Sequence, residues 1–317
     1  MKSFNSISKN WFSGLLATLL GLCSISAAHA QIFVTNYFGG TVGEYNTDGT
    51  TVNASLLSGL EYPFGIALTG SDLFVSNHGD GTDGTITEYN LATGSTSTFA
   101  SGISHLNGIV ASGSDLFVPN LGTGTIVDYN TTTGASSTLV TGLSSPLSTP
   151  YNIAISVSGT DLFYTDNSDS SIGEYDIATA TLTSLPVSGL SYPFDIAASG
   201  SDLFITNGDI NNTVLEYNLS TGSTTPLFTW SSSLYGIAVS GSNLLVATND
   251  NTILEYNLTS GHTSTLISSE QGLNGPNDIA VDVQDVPEPS TWALMLSGLG
   301  VLIYWRISTR RALERNK

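Results

Sequence analysis

The amino-acid sequence predicts an all-β fold built from six equivalent four-stranded units. Three phrases recur six times between residues 31 and 285: an apolar strand with a polar end, an acid-Tyr-Asn/Asp step, and an inner strand centred on isoleucine. The repeat period is about 42 residues, which is the length of a four-stranded propeller blade. No stretch of about 11 residues in this region has convincing helical periodicity. We therefore predict a six-bladed β-propeller.

One unit shows how the strands are predicted. Short apolar runs bounded by Gly, Asp, Asn and Ser are typical of strands joined by tight turns. In this unit the four predicted strands are residues 64–68, 73–77, 85–90 and 95–100. Asp72 lies in a Gly-Ser-Asp turn between the first two strands and is interpreted as a turn former.

The two ends of the repeat region are out of phase in a way that predicts ring closure. The region opens on the second strand of a unit, residues 32–36, and ends on a first strand, residues 277–283. The last strand can therefore complete the first blade and remove an exposed sheet edge. A solenoid is the alternative, but it would need capping repeats, and the sequence shows none.

Residues repeated in every unit are interpreted as structural, because a single site does not need six copies. We expect the repeated tyrosines to pack within the blades and their acidic neighbours to face another way along the strand. The tyrosines are Tyr45, Tyr89, Tyr129, Tyr175, Tyr217 and Tyr256.

Residues 1–30 have the layout of a secretory signal peptide. Lys2 and Lys9 form a basic start, residues 15–22 are apolar, and Ala28 and Ala30 provide a small-x-small cleavage site. Lipoprotein processing at Cys23 is the alternative, but the preceding residue is Leu22, where such a site needs a small residue.

The C-terminal residues 286–317 have three parts in a fixed order. A Pro287-Glu288-Pro289 motif within residues 286–290 precedes an apolar segment, residues 291–305, and a basic tail, residues 306–317. This order resembles a PEP-CTERM sorting signal. The resemblance implies a bacterial protein that is exported across the inner membrane, inserted by its C-terminal helix and processed by exosortase-type machinery. Its expected location is the cell envelope or the extracellular matrix. A simple C-terminal membrane anchor is the alternative.

The charge distribution excludes several function classes. The chain has 26 acidic and 7 basic residues, and all of the Lys and Arg lie in the two ends. The region between residues 31 and 285 contains 24 acidic residues and no Lys or Arg. Such a surface cannot neutralise phosphates, which excludes nucleic-acid binding. The same region contains no Cys, which excludes disulfides and a thiol nucleophile.

Candidate site residues are those that break the sixfold symmetry at the start of the innermost strands. We expect them at the mouth of the central channel, flanked by aromatic rings. These candidates are Asn107, Asn152, Asp195, Asn277 and Asp278. Oxygen ligands of this kind suit a hard cation such as Ca²⁺, and a ring of solvated polar residues is the alternative.

The propeller region resembles the broad group of NHL, YVTN and gluconolactonase-like propellers. Phe33-Val34-Thr35-Asn36 is similar to the YVTN signature, and Asn107-Gly108-Ile109 and Asn277-Asp278-Ile279 are similar to the inner-strand motif of NHL and lactonase propellers. For a gluconolactonase-like enzyme the resemblance implies a divalent metal held by Glu, Asn and Asp. Asn107, Asn152 and Asp195 are the corresponding positions, while Glu61 lies three residues too early for the glutamate.

A polar loop and a histidine are interpreted as structural features and not as sites. The loop of residues 77–83 is rich in Asp, Asn and Gly but lacks the spacing of an EF-hand, so we interpret it as turns. His105 lies just before Asn107 and is interpreted as a surface-loop histidine.

The sequence therefore predicts an exported binding or structural propeller. Its predicted ligand is a glycan or an envelope protein, bound with or without the help of Ca²⁺. A metal-dependent lactonase-like hydrolase is the first alternative, and a passive surface-coat protein is the second.

Trypsin should leave residues 31–285 in one piece even after denaturation, because this region contains no Lys or Arg. Mass spectrometry of the digest checks the expectation. A tryptic fragment that begins or ends inside the region would contradict it.

Overall fold

The computed structural model describes residues 30–143, 155–167, 169–208 and 211–282, which form six four-stranded antiparallel sheets. Each sheet is one blade. Blade 1 contains β1 (Gln31–Asn36), β2 (Thr41–Asn46), β3 (Thr51–Ser58) and the closing strand β24 (Pro276–Asp282). Blade 2 contains β4 (Pro63–Thr69), β5 (Asp72–Asn77), β6 (Gly84–Asn90) and β7 (Thr96–Ile103). Blade 3 contains β8 (Val110–Ser112), β9 (Asp115–Asn120), β10 (Thr125–Asn130) and β11 (Ser136–Thr141).

The remaining blades have the same strand order. Blade 4 contains β12 (Ile155–Ser158), β13 (Asp161–Asp166), β14 (Ser171–Asp176) and β15 (Thr181–Leu185). Blade 5 contains β16 (Pro193–Ser199), β17 (Asp202–Asn207), β18 (Thr213–Asn218) and β19 (Ser223–Thr229). Blade 6 contains β20 (Leu234–Ser240), β21 (Asn243–Thr248), β22 (Thr252–Asn257) and β23 (Thr263–Ile267), followed by a short 3-10 helix, Ser269–Gln271.

The predicted ring closure is confirmed. Strand β24 pairs antiparallel with β1 and places Val281 opposite Ile32 and Ile279 opposite Val34. The first blade is therefore assembled from both ends of the repeat region. This pairing covers the edge of β1 that would otherwise be exposed.

The core lies between neighbouring blades, because both faces of each second strand are buried. Ile32 and Val34 of β1 pack with Leu245 of blade 6, whereas Phe33 packs with Ile66 of blade 2. Successive side chains of a strand point to opposite faces, so one strand contributes to two inter-blade cores. A strand buried on both faces reads as a continuous apolar run, which is the pattern that repeats in the sequence.

The repeated tyrosines lie against these cores, as their occurrence in every blade predicts. Tyr45, Tyr175, Tyr217 and Tyr256 are buried. Tyr89 and Tyr129 are half-buried and pack against the cores beside blades 2 and 3.

A buried hydroxyl near the end of the second strand joins neighbouring blades. The Oγ1 of Thr206 in blade 5 accepts the backbone N–H of Asp195 at 3.0 Å and donates to the carbonyl of Tyr235 in blade 6 at 2.7 Å. Within the described residues, four blades have this bond to the next blade. The other donor–acceptor pairs are Thr35 to Phe64 at 2.8 Å, Ser76 to Asn107 at 2.5 Å, and Thr165 to Phe194 at 3.1 Å.

The predicted signal peptide and the predicted C-terminal sorting segment lie outside the described residues, apart from Ala30. Within the part of the chain that the structure describes, no helix is long and apolar enough to cross a membrane.

Replacing Thr206 by Val should lower the free energy of unfolding by about 1–3 kcal/mol, because the Asp195 amide and the Tyr235 carbonyl each lose a buried partner. Thr206→Ser keeps the hydroxyl and should lose only the contribution of one methyl group, about 0.8 kcal/mol. Denaturant unfolding of both variants measures the difference. The inter-blade role is wrong if the Val variant is no less stable than the Ser variant.

Candidate functional site: the channel mouth

The start of every innermost strand lies on one face of the propeller, together with the loops between second and third strands. We call this face the mouth face, and we define its central part by Tyr37, Phe64, Asp195, Tyr235 and Asp278. The antiparallel pairing within each blade brings these positions to the same end of the sheets. The opposite face carries the turns between first and second strands, including that of Asp72.

Asp195 and Asp278 hold neighbouring inner strands together through their carboxylates. The two oxygens of Asp195 accept the backbone N–H of Ile196 in its own strand and of Ile237 in blade 6, both at 2.8 Å. Asp278 repeats the pattern, because its oxygens accept the N–H of Ile279 at 2.7 Å and of Ile66 in blade 2 at 2.9 Å. Each carboxylate therefore links two blades.

Burial changes the protonation of these two acids. Removal from water raises the pKa of Asp278 from the ordinary 3.8 to about 7, although the bonds from Ile66 and Ile279 oppose the increase. The pKa of Asp195 is also raised well above its usual range, first by burial and then by the charge of Asp278. No cationic side chain from Lys or Arg is available in the propeller sequence to offset the effect.

Below these carboxylates the channel encloses a cavity of about 220 Å³. Asp195 and Asp278 provide its acidic groups, and the inner strands form the remaining wall. The wall residues include Ile66, Ile109, Ile196, Ile237 and Ile279, whose side chains are buried in the cores between blades.

The other predicted site residues are placed differently from the two aspartates. Asn277 is buried, and its Nδ2 donates to the carbonyl of Phe64 in blade 2 at 3.2 Å. Asn107 is only 2% exposed, and its carbonyl accepts the Ser76 hydroxyl. Neither residue lines the cavity that contains Asp195 and Asp278. Asn152 lies outside the described residues.

The predicted metal set of Asn107, Asn152 and Asp195 stays a prediction. The described residues contain no group of three or more His, Cys, Asp or Glu side chains arranged to hold a metal ion. Both Asp195 oxygens already accept backbone N–H groups, which directs the carboxylate to the inner strands. These contacts do not fit a carboxylate whose oxygens are reserved for a cation.

Aromatic rings cover the mouth of the channel. Phe64 of blade 2 and Phe194 of blade 5 come from opposite sides of the ring, and they stack with centroids 6.1 Å apart and an interplanar angle of 16°. Tyr235 contacts Phe194 at 4.9 Å, and Tyr37 contacts Phe64 at 6.2 Å. Pairs at such separations are favourable beyond the area they bury. The stacked rings lie over the channel axis.

Three aromatic side chains in the described part of this face are exposed to solvent. The exposed fractions are 70% for Phe38, 50% for Tyr62 and 61% for Tyr192. Tyr62 and Tyr192 have φ values of 52° and 54°, in the left-handed region that bulky residues rarely adopt. They occupy equivalent positions in opposite blades, each followed by Pro and Phe.

Aromatic rings beside the mouth are predicted from the sequence, but Tyr37, Phe38, Tyr62 and Tyr192 are not among the predicted residues. A signal was present, because Leu-x-Tyr-Pro-Phe occurs at residues 60–64 and again at residues 190–194. The match in only two of six units marks it as a departure from the sixfold repeat.

Comparison with known proteins adds one decisive match. The model of the PEP-CTERM protein-sorting motif matches residues 285–311. The chain carries a PEP-CTERM sorting motif. This result confirms the resemblance found at the C-terminus, and the PEP-CTERM motif implies export and processing by exosortase-type machinery.

Solved structures support the fold of this chain but not an activity. A chain from the crystal structure of a nidogen/laminin complex is similar with a TM-score of 0.68 and 13% identity, covering 80% of this chain and 98% of that one. Because 1325 solved chains match, the likeness shows a widespread fold alone. It leaves the NHL-like subtype a prediction. No curated protein sequence matches the chain.

The raised pKa of Asp278 predicts how stability depends on pH. Between about pH 4 and pH 7 the folded protein holds a proton on Asp278 that the unfolded chain has released, so rising pH should lower the free energy of unfolding across this range. In Asp278→Asn the group cannot titrate, and this part of the pH dependence should disappear. Denaturant unfolding at several pH values measures it.

The matched control is Asp83→Asn, which changes an exposed acid in a loop of the same face. This variant should keep the pH dependence of the unmodified protein. Equal pH dependence in all three proteins would contradict a raised pKa at Asp278.

Proposed function

We propose that this exported propeller binds a neutral polysaccharide chain across its mouth face. The observation that carries the proposal is the pair of exposed tyrosines, Tyr62 and Tyr192, on opposite sides of the stacked Phe64 and Phe194 rings. The PEP-CTERM motif supports an envelope or matrix location, where extracellular polysaccharide is present.

Exposed aromatic rings with polar neighbours suit sugar rings. The apolar faces of a pyranose can pack on an aromatic ring, while its hydroxyls bond to polar groups at the edge. The Tyr235 hydroxyl donates to Asn249 Oδ1 at 3.0 Å, so a polar pair lies beside the aromatic cluster. The mouth face thus provides both kinds of contact.

The negative charge of the propeller limits which polysaccharides it can bind. The 24 acids between residues 31 and 285, without Lys or Arg, give the propeller a negative field at neutral pH. Acidic polymers such as uronic-acid chains would be repelled, and like charges brought together at an interface oppose association. A neutral glycan is the ligand class that escapes this penalty.

The two exposed tyrosines are held in place before any ligand binds. The carbonyl of Tyr62 accepts the N–H of His78 at 3.0 Å, and the carbonyl of Tyr192 accepts the N–H of Gly208 at 3.0 Å. These bonds fix the left-handed backbone at both positions. Pre-ordered contact groups reduce the entropic cost of binding, and backbone strain of this kind often accompanies function.

The arrangement favours a linear chain over a single terminal sugar. Blades 2 and 5 are opposite each other in a six-membered ring, so Tyr62 and Tyr192 flank the axis on opposite sides. A glycan that contacts both must cross the face over the Phe64–Phe194 pair. Affinity should therefore rise with oligosaccharide length.

The lactonase alternative has less support than glycan binding. Its residues Asn107, Asn152 and Asp195 stay a prediction, and no contact of the described residues favours lactone hydrolysis over glycan binding.

Tyr62→Ala and Tyr192→Ala should each weaken binding of a long neutral oligosaccharide about twofold to tenfold, because each removes a stacking contact of about 0.5–1.5 kcal/mol. Calorimetry with neutral glucans, mannans and galactans of increasing length measures this, with alginate as the acidic comparison. The control is Leu182→Ala, which shortens an exposed apolar side chain on β15.

The proposal is wrong if no neutral glycan binds, which would favour a passive coat role, or if the tyrosine variants bind as tightly as the Leu182→Ala control. Binding of alginate alone would also reject it.

A further inference from the structure

Two histidines face each other at the edge of the mouth face. His78 lies in the loop after β5, and His105 lies between β7 and β8. Their ring centroids are 6.3 Å apart with an interplanar angle of 79°. Both rings are half-buried, so they are held by the protein but remain accessible.

The hydrogen bonds of His78 determine which nitrogen is free. Its Nδ1 lies 3.0 Å from the carbonyl oxygen of Leu106. A carbonyl can only accept, so Nδ1 carries the proton and donates. In the neutral ring Nε2 then has the lone pair. This is the arrangement found in metal-binding histidines, whose second nitrogen usually donates to a carbonyl or carboxylate.

His105 has the corresponding arrangement. Its Nδ1 lies 3.0 Å from the hydroxyl of Ser104, and the same hydroxyl lies 3.4 Å from the Gly81 carbonyl. The hydroxyl can give its one proton to that carbonyl and accept from Nδ1 of His105. In this arrangement the lone pair of His105 is also on Nε2.

The two free nitrogens border the same space. A Cβ atom placed on Gly81 would lie 3.7 Å from Nε2 of His78 and 3.9 Å from Nε2 of His105. Gly81 has a φ of 91°, and its carbonyl accepts the N–H of His105 at 3.0 Å. Glycine adopts this backbone conformation readily. Because it has no side chain, the space between the two rings stays open.

We propose that His78 and His105 form a two-histidine site for a late first-row divalent cation such as Zn²⁺, Cu²⁺ or Ni²⁺. Imidazole nitrogen suits these ions, whereas Ca²⁺ takes oxygen ligands. With a metal–nitrogen bond of about 2.0–2.1 Å, two rings on one ion have centroids about 5.2 Å apart at a tetrahedral angle and about 6.4 Å apart when opposite. The observed 6.3 Å lies within this range.

The site leaves coordination positions for other ligands. The described residues contain no group of three or more His, Cys, Asp or Glu side chains suited to a metal, so water or a ligand on the mouth face completes the coordination. The His78 ring also lies 6.3 Å from Phe64, which places the pair beside the aromatic cluster. The proposed ion is separate from the predicted Ca²⁺ set of Asn107, Asn152 and Asp195.

The test uses the full chain purified without a histidine tag, titrated with Cu²⁺, Zn²⁺ and Ca²⁺ by calorimetry. One Cu²⁺ or Zn²⁺ should bind per chain. His78→Asn and His105→Asn should each weaken binding about tenfold or more. Asparagine places an amide near the former Nδ1 but has no group at Nε2, and it tolerates the left-handed φ of 52° at position 105.

The matched controls are His262→Ala, which lies in a turn at the opposite face, and His29→Ala. Both should bind the ion as the unmodified protein does. Melting curves in chelator verify that every variant is folded. If an Asn variant fails to fold, broadening of imidazole signals by Cu²⁺ in the unmodified protein should affect His78 and His105 but not His262.

Three outcomes would overturn the site. One is the absence of one-to-one binding of Cu²⁺ or Zn²⁺. Another is binding that persists in the double variant His78→Asn/His105→Asn, which would place the ion on the acidic surface. The third is loss of binding in His262→Ala.

Discussion

The buried hydroxyl that joins one blade to the next is the interaction on which the rest of the structure depends. Thr35, Ser76, Thr165 and Thr206 each donate to a carbonyl at the start of the next inner strand. Those carbonyls belong to Phe64, Asn107, Phe194 and Tyr235, and three of these residues carry aromatic rings of the mouth. The same bond therefore orients neighbouring blades and sets the backbone from which the aromatic cluster projects.

The propeller region contains no Lys or Arg. The carboxylates at the inner strands must therefore be stabilised without these cationic side chains. A buried carboxylate needs either a cation, hydrogen-bond donors or a proton. Asp195 and Asp278 use backbone N–H groups from two blades each, and their raised pKa values show that these donors offset burial only in part. Acidity in this protein is therefore not confined to a solvated surface, since two of its acids are structural links across blade boundaries.

The mouth face combines three features that are separate along the chain. Aromatic rings from opposite blades meet over the axis, two exposed tyrosines flank them, and a histidine pair borders the same cluster. Beneath the rings the channel contains the carboxylates of Asp195 and Asp278. The proposed glycan binding rests on this layout, and the PEP-CTERM motif implies the export that would bring the face to extracellular polysaccharide.

Patterns along the chain were enough to predict the all-β class, the number of blades, the closure of the ring and the sorting motif. These features are carried by periodic apolar patterns and contiguous motifs, which depend on neighbours in sequence. The three-dimensional contacts were needed to show that Asp195 and Asp278 link blades, that Asn107 and Asn277 are buried away from the channel cavity, and that Phe64 meets Phe194. Residues about 130 positions apart become neighbours only when the ring closes, and burial then changes the chemistry of each group. A repeat pattern in the sequence predicts the structure of one blade, whereas the contacts between blades depend on the closed ring of all six.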